Sequence, residues 1–463
     1  MSGTSYLTVA GGGSTNLHSG VLSVPSTLGT TVNSLLQTYL DGVSGSVAGG
    51  SAGFENLNAI GTGGTVAGSG STFLEEITNS DSTGASVGGT FSGVVSVNPA
   101  ATTLVVQYPG NLSLSGSSGT NLALFGAASN VNYTVSGGSG ASIVAAGGND
   151  AFYISNASDA VTFAGNDTVV FTSGTSGAGN ETVNAVGNAT TSVFIGGSDA
   201  ATVTASDSAQ ASVVFLPRAG GNLDFINNSS SAQTVFSGLY TVSGGGTEYT
   251  SNSITVFGGA GGGFYVGGSA GFNSLNGGTG NSTLVGGGGG DILSTGGANN
   301  VLFSGNGSET LIGGGGTNSF FLGVEDVGIG TIRAVGDLAS ATGSGSQNFI
   351  LGQLSATTLT GSTVTGASNV YDVLGTYTTT GGQAVTLGGS DFTITDFGAN
   401  STINLLNGSF NTGAGAPSVE TVQPAIGGGS TQILLNDGTV ITLKGVSTSQ
   451  VSAPVGGHSI TFL

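Results

Sequence analysis

GGTGNSTLVGGGGGDILSTGGANNVLFSGNGSETLIGGGGTNSFF, residues 277–321, reads in blocks of nine. Glycine-rich runs open most blocks, and a large apolar residue recurs at a fixed place in each: Leu284, Leu293, Leu302, Leu311 and Phe320. Toward the N-terminus the same spacing takes in Phe257, Val266 and Leu275, so the period is held eight times without a break. Repetition of a Gly-rich strand pattern at a fixed period is the mark of stacked coils, in which each unit buries its apolar face only against its neighbours. The nine-spaced residues are therefore the expected core of this part of the chain.

The rest of the chain agrees with an all-β reading. Short Val/Thr/Ser/Phe runs stand between glycines at 94–97, 103–108, 168–171, 212–215 and 253–257, and such runs predict many short strands with turns between them. GGSAGFENLN at 49–58 returns as GGSAGFNSLN at 267–276, and YTVSGG occurs at 133–138 and 240–245. Only 31–41 is expected to be helical, with Val32, Leu35, Leu36, Tyr39 and Leu40 at helical spacing and Gly42 as the stop. Near the end, Asp437-Gly438 followed by alternating Val440, Ile441 and Leu443 predicts a hairpin. The expected organisation is a β-rich region over 1–130, a repeat solenoid over 131–330 and a C-terminal β region over 331–463.

Composition narrows the function. Of 463 residues 91 are glycine, about one in five against a usual roughly 7%. Charged residues make up 6%, and 23 acids against 3 bases leave a net charge of −20. The bases, Arg218, Arg333 and Lys444, stand far apart, so nucleic acid and anionic membrane surfaces are not expected partners. No apolar run approaches the roughly 18 residues of a transmembrane helix. Without cysteine there are no disulfides, thiolate nucleophiles or Cys-zinc sites. Only His18 and His458 are available for general-base work. Adjacent acids such as Glu75-Glu76 and Glu325-Asp326 would face opposite ways on a strand. An enzyme is not expected; a β-helix polysaccharide lyase, with Arg218 near Asp224 or Arg333 near Asp326 and Asp337, is the third reading.

The nonapeptides resemble the GGxGxDxUx repeat of the RTX family, the hemolysin-type calcium-binding repeat. That resemblance implies a β-roll or β-solenoid in which each nonapeptide is a Gly turn and a short strand, and two nonapeptides form one 18-residue coil. The nine-spaced apolar residues then form two inward columns. At the family's Asp position stand Asn273, Asp291 and Glu309 in one column and Ser282, Asn300 and Asn318 in the other. Calcium is the implied cofactor, with Asp291 and Glu309 in adjacent coils as its carboxylates and Asn273 beside them. The alternative is a ladder of Asn and Ser hydrogen bonds in place of ions. A second acidic group, Asp150, Asp167 and Glu181, each closing a Gly-Asn-acid turn, is followed by Asp199 and Asp207. These are either further ligands or turn residues that tolerate left-handed backbone.

After the array, DFTITDFGANSTINL at 391–405 resembles the strand pair downstream of RTX arrays, with Asn404 in place of the usual acid. The terminal HSITFL resembles the uncleaved export signal of type I secretion substrates. The N-terminus shows neither the basic nor the apolar region of a cleaved signal. Together these predict a secreted protein of the bacterial cell surface that works by packing against copies of itself. Its C-terminal strands at 391–405 and 439–446 are expected to be an uncovered edge. The competing reading is an adhesin for cell-surface polysaccharide or lipopolysaccharide.

Overall fold

The structure is a computed structural model. It describes residues 142–463 except 156–158, 172–179, 198–199, 218–220, 238–239, 243–245, 249–252, 269–271, 298, 306, 324–333, 336–337, 376, 379–383, 386–388 and 408–409. Before residue 142 it describes strand segments only. The helix expected at 31–41 lies outside the described residues. Among those that are described, the chain is all-β, and its one helical element is a single 3-10 turn at Thr448–Gln450.

The chain divides into two compact units, Met1–Val235 and Phe236–Leu463. In the first, consecutive strands alternate between two parallel sheets. Gly53–Asn58, Thr72–Thr78, Thr103–Gln107, Leu122–Phe125, Ser142–Ala145, Ala160–Phe163, Asn180–Ala185, Ala200–Asp207 and Asn222–Ser229 pair in that order in one sheet. Thr65–Ala67, Val94–Ser96, Asn111–Ser115, Asn130–Val135, Ala151–Ile154, Thr168–Phe171, Thr190–Gly197 and Gln210–Pro217 pair in the other. Each coil thus gives one strand to each sheet, which is a β-solenoid. The parallel pairing reaches back to Gly53.

The second unit repeats the plan. Ser253–Phe257, Ser274–Asn276, Ile292–Ser294, Thr310–Gly313, Leu338–Ala341, Thr357–Thr360, Asp391–Ile394 and Val440–Leu443 form one parallel run. Gly263–Val266, Ser282–Val285, Asn300–Phe303, Asn318–Leu322, Ser346–Leu351, Ser368–Leu374 and Ser401–Leu406 form the other. The hairpin expected at Asp437-Gly438 is present: Thr431–Leu435 pairs antiparallel with Val440–Leu443, and Gly438 has φ 84°.

Leu275, Leu284, Leu293, Leu302, Leu311 and Phe320 are all fully buried, as their period requires. The first two members of the nine-spaced series are not in their columns. Phe257 is 54% exposed and pairs with Asn276, while its neighbour Val256 pairs with Leu275 and is buried. Val266 likewise pairs with Val285, and Tyr265 takes the inward place beside Leu284. The cause is one extra residue: 19 positions separate Ile254 from its partner Asn273, where 18 separate Asn273 from Asp291. Side chains alternate faces along a strand, so a single added residue moves the adjacent side chain into the core. Past Phe320 the inward column continues through Phe349 and Tyr371, with rings stacked at 4.7 and 4.8 Å, although the period is gone.

Glycine is required where coils touch. A Cβ on Gly165 would lie 2.8 Å from the backbone of Gly147 and Gly148 in the coil before it, closer than real Cβ atoms come. The expected uncovered C-terminal edge is not one. Asp391–Ile394 lies between Thr357–Thr360 and Val440–Leu443, and Ser401–Leu406 lies between Ser368–Leu374 and the antiparallel strand Ser459–Phe462. Val440–Leu443 is covered in turn by Thr431–Leu435, which pairs with Val419–Pro424. Both parallel runs therefore end under antiparallel strands, the means by which a stacked-strand protein protects its terminal edges.

Candidate functional site

The residue just before a strand closes a Gly turn, and there the solenoid buries polar side chains. Asn273, Asp291 and Glu309 occupy this place in three successive coils and are at most 2% exposed. The backbone N–H of Asn273 donates to Asp291 Oδ1 at 2.8 Å, and its side-chain Nδ2 donates to Oδ1 and Oδ2 at 2.9 and 3.0 Å. Gly287 N–H donates to Oδ2 at 2.8 Å. Asn273 Nδ2 also closes its own turn on the Gly268 carbonyl at 2.9 Å. Burial pushes the Asp291 carboxyl up, and the N–H groups of Gly287 and Asn273 draw it back.

The opposite column has the same design with no acid. Ser282 N–H donates to Asn300 Oδ1 at 3.1 Å, Asn300 Nδ2 to Asn318 Oδ1 at 3.0 Å, and Asn318 Nδ2 to Gln347 Oε1 at 2.8 Å. Each amide also donates to a carbonyl of its own turn, Asn300 to Gly297, Asn318 to Gly314 and Gln347 to Gly345, and Gln347 reaches Gly316 in the coil before as well. One side chain thus ties its own turn and hands an acceptor to the coil before it. A buried polar group is tolerated on those terms.

In the first unit acids hold the position at Asp150, Asp159, Asp167 and Glu181. Asp150 and Asp167 stand one coil apart in one sheet: Val131 N–H donates to Asp150 Oδ1 at 2.7 Å, and Asp150 N–H to Asp167 Oδ1 at 2.9 Å. Glu181 does not join them. It lies in the other sheet, where its Oε2 accepts from Asp159 N–H at 2.9 Å. The uneven spacing of the three Gly-Asn-acid turns thus reflects two columns. Asp159, Gln233, Gln347 and Asn369 are buried equivalents that stand outside both the nonapeptides and the Gly-Asn-acid turns. Gln233 Oε1 accepts from Ala211 N–H at 2.7 Å in the same manner. The available signal was a polar residue immediately before an alternating strand, as in Asp159 before AVTF and Gln347 before NFIL. Asp207 is a turn residue: it has φ 60°, and its exposed carboxylate accepts from Gly187 N–H at 3.1 Å. Asp199 lies outside the described residues.

A hard dication takes six to eight oxygens, carboxylates among them. The Asn273–Asp291 step and the Asn300–Asn318–Gln347 run do not fit it, because a side-chain amide donor stands between the coils where a second ligand oxygen would have to be. Asp291 with Glu309, Asp150 with Asp167, and Asp159 with Glu181 each keep two buried acids one coil apart, which is the donor chemistry calcium uses. Among the described residues no three His, Asp or Glu side chains form a group able to hold a metal. Of the residues considered for acid–base work, Asp224 is exposed on an outward face, and His458 Nδ1 faces the Pro417 carbonyl at 2.6 Å. No family model matches the chain, and neither a curated protein nor a solved structure matches it.

Proposed function

We propose that the chain is an extracellular structural protein of RTX type that assembles with copies of itself into a layer or filament on the bacterial cell surface. The observation that carries this reading is an outward line of side chains in the first unit. Thr134, Tyr153, Val170, Phe194 and Val214 stand in register on five successive strands of one sheet. Tyr153 is 45% and Phe194 42% exposed, and no charged residue interrupts the line. A largely apolar row on the outward face of one sheet suits contact with another protein surface, whereas monomeric proteins keep such patches small. With 3 bases in 463 residues, the chain also lacks the Lys-rich outer faces that hold β-proteins apart.

Calcium belongs to this reading at the acid-only steps, Asp150–Asp167, Asp159–Glu181 and Asp291–Glu309, where a divalent ion would relieve the repulsion of a net charge of −20. The test is sedimentation velocity and electron microscopy of the full chain, with and without calcium. Sheets or filaments are expected, and Tyr153→Lys with Phe194→Lys should reduce them to monomers while leaving the far-ultraviolet spectrum unchanged. A full-length chain that stays monomeric at high concentration in both conditions would refute self-assembly. If that monomer bound cell-surface polysaccharide, it would be classed with the adhesins.

A further inference from the structure

We infer that in the nonapeptide array of the second unit the column Ser282, Asn300, Asn318, Gln347 and the Asn273–Asp291 step are held together by side-chain amides, in the positions where the repeats it resembles hold calcium. Three observations carry this. First, Asn273 Nδ2 lies within hydrogen-bond distance of both Asp291 oxygens, so the carboxylate is engaged by a neutral donor fixed to the next coil. Second, the opposite column reads Ser282, Asn300, Asn318, Gln347 and passes one amide hydrogen bond from coil to coil without a formal charge. Third, the turn carbonyls of Gly268, Gly297, Gly314 and Gly316, which would complete an ion's shell, already accept from those amides.

The chemistry follows from what an amide offers. A carboxylate presents acceptors only, so two stacked carboxylates need a cation between them. An Asn or Gln presents acceptor and donor together and satisfies the coil on each side by itself. Removing one such group strands its buried partners, which costs more than the bond contributed. The amide-bearing steps are therefore ion-independent, whatever the acid-only steps bind, Asp150–Asp167 and Asp159–Glu181 in the first unit and Asp291–Glu309 in the array. The inference does not depend on self-assembly and is tested on a different observable.

The test is backbone hydrogen exchange of the full chain followed over 268–322, in millimolar calcium and in excess chelator. The expectation is the same protection in both along the amide column, at the amide of Ser282 in particular. Slowing there by more than about tenfold on addition of calcium would overturn the inference. The second arm is Asn318→Asp, which replaces the donor to Gln347 and Gly314 with an acceptor. In chelator it should speed exchange over 300–318 by at least about tenfold. Exchange as slow as that of the parent chain would show that the ladder is not what holds the coils, and would equally overturn it.

Discussion

Asp167 is 1% exposed, and burial pushes its carboxyl up from the ordinary 3.8 to about 8. The N–H groups of Asp150 and Gly165 draw it back, and the Asp150 carboxyl one coil away adds to the rise. In the unfolded chain the group ionises near 3.8, so between there and about 8 the folded state keeps a proton that the unfolded state has lost. Its contribution to stability is complete below the lower value and declines as pH climbs to the upper. In chelator, Asp167→Asn, which is neutral throughout, should flatten the stability–pH curve across this window. Urea midpoints at a series of pH values measure it, and an unchanged slope would place the titrating group elsewhere. Sequence reading isolated this residue as an acid before a strand. It had no means of assigning Asp167 to Asp150 and Glu181 to Asp159, because unequal coils hide which turns stack.

At the scale of the strand, alternation decides everything. Ile292 and Leu293 are consecutive, similar in volume and opposite in fate: Leu293 is fully buried between Leu275 and Leu311, and Ile292 is 48% exposed. Leu293→Ala is expected to cost about 2–5 kcal/mol, and Ile292→Ala no more than about 0.5 kcal/mol. Equal losses in urea unfolding would mean that the strand does not present these faces. The period of nine made this assignment legible from Leu275 to Phe320, because every coil there has the same length. It failed at Phe257 and Val266, where one added residue shifts the face. It was silent beyond Phe320, where insertions of unequal length separate Phe349, Tyr371 and Ile403 while their inward positions persist. The amide ladder was half legible: Asn and Ser at the turn position were visible, but their reach to turn carbonyls was not.

For the molecule as a whole, the ends of the stack matter more than its middle. The C-terminal hairpin and the strand Ser459–Phe462 cover edges that would otherwise present open N–H and C=O rows. Truncation after residue 407 should therefore expose Asp391–Ile394 and Ser401–Leu406 and promote irregular end-to-end aggregation. Light scattering of the purified fragment reads this out, and a truncated chain that stays as soluble as the parent would show that these strands are not caps. Lateral contact through the outward sheet face, rather than joining at this end, is thus the geometry the assembly proposal requires. The common register from Leu275 to Phe320 also makes reach a counted quantity in the second unit. Excising 286–303 would set Leu275 beside Leu311 and Leu284 beside Phe320 with every facing pair still apolar, and would shorten the stack by one strand spacing, about 4.8 Å. Gain or loss of a coil is in that sense a change of copy number, and the gene can lengthen or shorten the protein in fixed steps without redesigning its interior.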